Sequence, residues 1–188
     1  HGILITWATI TEGGVQVDAA GERFWNESQG YSEAARAVLS QAQGVAYAIF
    51  DGRIADIAEQ FEDFKRAKSE GAIKSAGTLE ELAAALGLPA GALSKTIADI
   101  LPNSTDRFGR SFGETRLCSP FCGVRVTGAL FHTQGGVQVD TSARVIRKNG
   151  GVIANLYAGG GAACGVSGSG DRGYLSGNGL LAAAVLGR

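Results

Sequence analysis

Four side chains in this sequence have the chemistry to move a proton or grip a polar substrate: Tyr31, His132, Arg172 and Tyr174. Tyr31 follows Asn26-Glu27-Ser28-Gln29-Gly30, and its phenol can donate or relay a proton or simply pack before the helix that follows. His132 stands in the corner Phe131-His132-Thr133-Gln134-Gly135-Gly136. Its imidazole can bind a carboxylate or carbonyl of a substrate, or only backbone in a tight corner. Arg172 and Tyr174 lie within a glycine-rich stretch. The arginine can clamp an anion with two parallel hydrogen bonds or form a surface ion pair. Tyr174 can aim its hydroxyl at a ligand or pack beneath the loop. His1, at an abrupt start, is set aside. No Ser-His-Asp set or carboxylate-pair motif accompanies these residues, so in an enzyme the hard step would fall to a cofactor.

The elements that must position them are clearest at the end of the chain, Asn155 to Arg188. A short apolar run, Leu156-Tyr157-Ala158, leads into a loop where glycine recurs every second or third residue. Leu180-Leu181-Ala182-Ala183-Ala184-Val185-Leu186 follows, with high helix propensity. Strand, glycine loop and helix together bring backbone N–H groups and a positive helix end against an electron-rich ligand. Glycine-richness alone also fits a flexible tail, but a tail would not continue into that helix former. The chain holds 29 glycines, about twice the usual ~7% share.

Hydrophobic content of 45%, charged content of 19% and a net charge of −1 describe an ordinary globular chain with no nucleic-acid surface. No apolar run approaches the ~20 residues of a membrane span. Cys118, Cys122 and Cys164 make an odd count, and Cys118-x-x-x-Cys122 lacks a second pair to complete a zinc site. The expectation is reduced cysteines in a cytoplasmic protein without metal; a site built with His132 is the alternative. The chain contains no methionine and opens in apolar sequence, so it reads as a portion of something longer.

Gly13-Gly14-Val15-Gln16-Val17-Asp18 alternates apolar and polar residues before a turn and Arg23-Phe24, a hairpin pattern. The hexapeptide recurs as Gly135-Gly136-Val137-Gln138-Val139-Asp140, followed by a turn and Arg144-Val145-Ile146. One local solution is used twice. Ser32 to Ala42 has helical spacing, with Ser32 able to cap. Val45 to Phe50 reads as a buried strand ended by Asp51-Gly52. Ile54 to Lys68 is one amphipathic helix or two. Thr78-Leu79-Glu80-Glu81 has capping-box spacing, Gly87 stops that helix, and Pro89 opens another carrying Leu93, Ile97 and Ile100. Pro120 to Leu130 is strand-like. The middle third is low in glycine and mostly helical, which predicts two discontinuous pieces of one α/β domain with a cap inserted between them. The composition shifts put the boundaries at residues 1–28, 29–123 and 124–188.

The ordered motifs resemble those of the fumarate reductase/succinate dehydrogenase flavoprotein family. Gly21-Glu22-Arg23-Phe24-Trp25-Asn26-Glu27 is similar to its G-x-R-F-x-N-E, and His132-Thr133-Gln134-Gly135-Gly136 to its H-T-x-G-G. Asn155 to Gly160 resembles G-L-Y-A-A-G, and Ser176-Gly177-Asn178-Gly179-Leu180 the flavin loop G-G-N-S-L. Asp106-Arg107-Phe108-Gly109-Arg110 resembles the D-x-x-F-G-R element of its cap. Asn26-Glu27-Ser28-x-x-Tyr31 is closest to the N-E-S-x-x-Y of the 3-ketosteroid dehydrogenase branch, where the fumarate reductases carry a proton-donating arginine. Tyr174 resembles the tyrosine of that branch's Y-x-x-x-G, with Asn178 in place of its glycine. Arg172 answers to a dicarboxylate-binding arginine on a longer loop.

The resemblance implies an α+β fold: a helical capping domain inserted in the C-terminal remnant of an α/β, Rossmann-like FAD-binding domain. It implies an oxidoreductase moving hydride between flavin and a C–C bond beside a carbonyl or carboxylate of a small molecule. Tyr31, His132, Arg172 and Tyr174 would be catalytic. Gly160, Gly161, Gly177, Asn178, Gly179 and Leu180 would face the FAD, with the backbone N–H groups of the last three at the flavin's pyrimidine edge. The G-x-G-x-x-G dinucleotide fingerprint is not found here, so the expectation is an inactive portion without bound FAD, whose partner is the N-terminal FAD-binding segment, with self-association open. A non-catalytic cap-like module that binds another protein is the alternative.

Overall fold

Asp51 ends a strand and starts a helix with one side chain: its Oδ1 accepts from Ile54 N–H at 3.0 Å, the usual N-cap bond. In the computed structural model, which describes residues 1–130 and 135–187, that strand is β2 (Val45–Asp51). It follows α1 (Ala8–Thr11), β1 (Val15–Val17) and α2 (Tyr31–Leu39). After it come α3 (Gly52–Ala58), α4 (Glu62–Ser69), β3 (Ile73–Ala76), α5 (Leu79–Leu86), α6 (Ala90–Ala98) and β4 (Phe121–Thr127). The charged stretch read as one helix or two is therefore two.

The strands form one antiparallel sheet in the order β1-β2-β4-β3. Successive side chains of a strand point to opposite faces, and β2 shows it. Ile49 packs with Val15, Val17, Leu82 and Leu93 on one side, while Ala48 and Phe50 pack with Ile54, Phe64 and Val124 on the other. Helices cover both faces, which is why β2 reads as a nearly continuous apolar run. The expected helices are present, but a sheet runs through the region between them.

Thr78 and Glu81 form the reciprocal capping box that opens α5, and Gly87 ends it with φ +71°. The start of α2 differs from expectation. Asn26 Oδ1 takes Ser28 N–H at 2.9 Å and winds Glu27–Gln29 into a 3-10 turn. The chain then enters the helix at Tyr31 behind Gly30, with no side-chain cap. Gln43 and Gly44 both take positive φ, so the helix stops before Ala42.

The repeated hexapeptide is followed by the same turn each time. Asp18 Oδ1 accepts from the N–H groups of Ala20 and Glu22 at 2.9 and 3.0 Å. Asp140 Oδ1 accepts from those of Ser142 and Arg144 at 2.9 and 3.0 Å. Beyond the second turn, β5 (Arg144–Ile146) pairs antiparallel with β6 (Val152–Tyr157). A 3-10 turn (Gly160–Ala162), a glycine loop and α7 (Asn178–Leu186) follow, giving the strand, loop and helix read from the sequence.

The chain divides into two compact units, His1–Gly128 and Ala129–Arg188. β1, before the 28/29 position, is hydrogen-bonded to β2 beyond it, and β4 runs across the 123/124 position.

Candidate functional site

Tyr31 belongs to the first unit, where it is the first residue of α2 and 44% exposed. Its ring meets Trp7 edge-on, with centroids 6.3 Å apart and planes at 71°. Trp7 in turn lies 6.5 Å from Trp25. Trp25 is fixed from behind by its indole N–H, which donates to Gln16 Oε1 at 2.9 Å.

Beneath this layer lies a buried set of charges. Glu27 is 1% exposed; its Oε1 accepts from the Gln16 backbone N–H at 2.9 Å and from Arg23 Nε at 3.0 Å. Arg23 also reaches Glu27 Oε2 and Asp106 Oδ2. Arg110 places Nη1 3.1 Å from Glu27 Oε2 and donates through Nη2 to Ile10 O at 3.1 Å. Phe112 lies under both guanidinium groups, with its ring centre 5.1 Å from Arg23 and 4.7 Å from Arg110.

Burial disfavours the charged form of Arg23, yet the hydrogen bonds and charges of Glu27 and Asp106 hold its guanidinium above the ordinary value. Burial likewise works to raise the Asp106 carboxyl. The bonds from Arg23 and from the Arg110 and Phe108 backbone N–H groups outweigh it and hold that carboxyl below its usual range. This cluster ties the stretch before Tyr31 to the stretch holding Asp106 and Arg110. The sequence reading missed its role; the available signal was an acid and a base four residues apart in both motifs, among Phe and Trp.

Arg172, Tyr174 and the six glycine-loop residues belong to the second unit. Arg172 is exposed on the 3-10 turn Asp171–Gly173, and Tyr174 follows it half-buried. The loop is closed by its own bonds. Gly168 N–H donates to Gly173 O at 2.7 Å, Leu175 N–H to Ser167 Oγ at 2.9 Å, and Val166 N–H to Asn178 Oδ1 at 2.8 Å. It is not a featureless tail.

Asn178 is 3% exposed, its carboxamide turned into the loop. Its backbone N–H donates to Leu175 O at 3.2 Å and so is engaged within the chain. Gly177, before it, has φ +80° and offers no side chain to cap α7. The next N–H groups, those of Gly179 and Leu180, are in the helix's first turn, where no intrahelical acceptor exists. A Cβ on Gly179 would meet nothing within 4 Å, and Leu180 is 81% exposed. Gly160 has another use: a Cβ there would sit 3.4 Å from Ala183 Cβ, so the turn lies directly against α7, whereas Gly161 faces open space. An uncapped, open helix start behind a glycine loop favours a group that carries negative charge. His132 lies outside the described residues. Cys118, Cys122 and Cys164 are free, and burial foremost pushes the Cys122 thiol up.

With this geometry in place, comparison with known proteins gives the class: residues 1–180 match the FAD binding domain family, and the chain belongs to it. Among its relatives, the NADH:acrylate oxidoreductase of Vibrio harveyi is 36% identical over 100% of this chain and 19% of its own length. The fumarate reductase (cytochrome) of Shewanella frigidimarina is 29% identical over 100% of this chain and 33% of its own. The 3-oxosteroid 1-dehydrogenase of Mycobacterium tuberculosis is 27% identical over 82% of this chain and 34% of its own. The open conformation of a flavocytochrome c3 fumarate reductase superposes with a TM-score of 0.75 at 28% identity, covering 98% of this chain and 32% of that one. This chain thus spans a fifth to a third of the length of these relatives.

Proposed function

We propose that the whole protein is an FAD-dependent oxidoreductase, a dehydrogenase or reductase acting on a C–C bond next to a carbonyl or carboxylate of a small molecule. The observation that carries this reading is the start of α7, where Gly177 leaves the first-turn N–H groups of Gly179 and Leu180 without a side-chain acceptor. A positive helix end of that kind favours an electron-rich group. The relatives' names point to one type of bond: acrylate and fumarate each carry a C=C beside a carboxylate, and a 3-oxosteroid carries a ring ketone.

When bound, FAD supplies the hydride donor or acceptor. The chain's own residues do the rest on this reading. The backbone of Gly179 and Leu180 meets the flavin, Gly161 and Gly177 allow its close approach, and Gly160 and Asn178 hold the loop and helix in place. Arg172 and Tyr174 hold the substrate's polar end together with His132, and Tyr31 gives or takes the proton. The unit His1–Gly128 is the capping part, and Ala129–Arg188 the C-terminal part of the FAD-binding domain. The free cysteines fit a reducing, cytoplasmic setting, and among the described residues no helix is long and apolar enough to cross a membrane.

The exposed Leu180, Leu181 and Val185 make α7 apolar toward its surroundings, and a helix of that kind is ordinarily covered. The remaining length of the FAD-binding domain covers it on this proposal; a second copy or another protein is the alternative.

The test is the full-length protein itself. It is expected to carry FAD and, once reduced with dithionite, to be reoxidised by acrylate, fumarate or a 3-oxo-1-ene steroid without oxygen. A protein that holds no flavin, or whose reduced flavin none of these reoxidises, would overturn the reading.

A further inference from the structure

We propose that the first unit holds a ligand site of its own: an apolar cavity between α6 and the stretch from Phe112 to Phe121, which takes a small arylalkyl carboxylate. The site is independent of the reading of Tyr31, since none of the residues that line it is among those assigned above to substrate or FAD.

The cavity has a volume of ≈ 230 Å³. Its walls are Leu79 at the start of α5, Ile97 in α6, Ile100 just beyond it, and Phe112, Leu117 and Phe121. All six pack against the core of Val15, Ile49, Leu82 and Leu93, yet all six are only half-buried. Large apolar side chains left open around one concavity are the lining of a binding site.

Size and charge narrow the occupant. Walls of this kind give water little to bond to, and an apolar cavity of about 150 Å³ already takes benzene, so this one has room for a ring and a short arm. Phe112 and Phe121 offer aromatic contacts to such a ring. Thr115 and Arg116 also line the cavity, and both are exposed at its mouth. Arg116 makes no ion pair among the described residues, and a guanidinium matches a carboxylate in shape as well as charge. Of the acids nearby, Glu114 does not line the cavity, and Glu80 is held by Ser94, whose Oγ donates to it at 2.7 Å.

One wall is fixed in advance. Phe112 N–H donates to Ser104 O at 2.9 Å and Asn103 N–H to Gly113 O at 3.0 Å, which closes that loop on itself. The Phe112 ring is held as well by the guanidinium groups of Arg23 and Arg110. A preformed wall spares the ligand the cost of ordering it.

The experiment titrates phenylacetate into the full-length protein by calorimetry, with 2-phenylethanol as the uncharged analogue of similar shape. Phenylacetate is expected to bind with a Kd below about 1 mM, within the reach of a ligand of about ten heavy atoms. Arg116→Gln should weaken it by about fivefold or more and leave 2-phenylethanol unchanged, while Arg116→Lys keeps part of the affinity for the anion. Arg116 is exposed, so neither substitution disturbs the core. Hydrogen exchange places the ligand: at about ten times Kd, the amides of Asn103 and Phe112 should slow by up to about tenfold. No binding of phenylacetate, as when another stretch of the full chain fills the cavity, would overturn the proposal. So would equal affinity for phenylacetate in wild type and Arg116→Gln, or binding that leaves exchange at Asn103 and Phe112 unchanged.

Discussion

Glu27 and Arg110 meet in the interior of the first unit, with Nη1 of the arginine 3.1 Å from Oε2 of the glutamate and both side chains buried. Arg23 shares the same carboxylate and passes on to Asp106. Glu27 therefore balances two buried guanidinium groups and anchors the turn that leads to Tyr31.

Glu27→Gln should destabilise the protein severely, because it leaves Arg23 and Arg110 buried with one carboxylate fewer. Breaking a buried ion pair from one side costs about 3–5 kcal/mol. Urea denaturation of wild type and variant checks this; a difference under about 1 kcal/mol would mean that the cluster relaxes or admits water.

Asp106 gives the cluster a pH dependence of defined sign. Its folded carboxyl titrates below the ordinary value near 3.8, since the bonds from Arg23 and the backbone outweigh burial. A depressed carboxyl contributes stability that is complete above the unfolded value and is lost as pH falls through the folded one. Asp106→Asn should accordingly be less stable than wild type at neutral pH, with the gap closing as pH drops below about 4. A gap that stays constant through that acid range would show that the carboxylate's charge is not what contributes.

Much of the local structure of both units was legible because it is written in adjacent residues. Thr78 and Glu81 announce their helix, Gly87 its end, and Asp18 and Asp140 their turns. β3 was not legible: Ile73-Lys74-Ser75-Ala76 is a short edge strand with its two middle residues exposed, and it exists because β4 offers it a partner. The contacts of the site were legible only as residue types. Nothing near Tyr31 in sequence reveals Trp7, and nothing near Arg23 reveals Asp106; both pairings are made by the tertiary fold. The loop-closing part of Asn178 was not legible either: its carboxamide oxygen accepts from Val166 N–H, a partner twelve residues away.

That closure has its own test. Asn178→Ala removes the acceptor of Val166 N–H, a bond with a net worth of about 0.5–1.5 kcal/mol. Hydrogen exchange at Val166 should accelerate by roughly threefold to tenfold while the amides of β2 keep their protection. Unchanged exchange at Val166 would mean that the bond does not hold the loop.

The central claim is that Tyr31 handles the proton in a flavin-dependent reaction at a C–C bond. Tyr31→Phe in the full-length protein tests it most directly, because it keeps the ring that packs on Trp7 and deletes only the hydroxyl. The variant is expected to retain bound FAD and its fold, and to lose turnover with acrylate or fumarate by about 10²–10⁴-fold. Wild-type turnover in that variant would reduce Tyr31 to a packing residue and contradict the account.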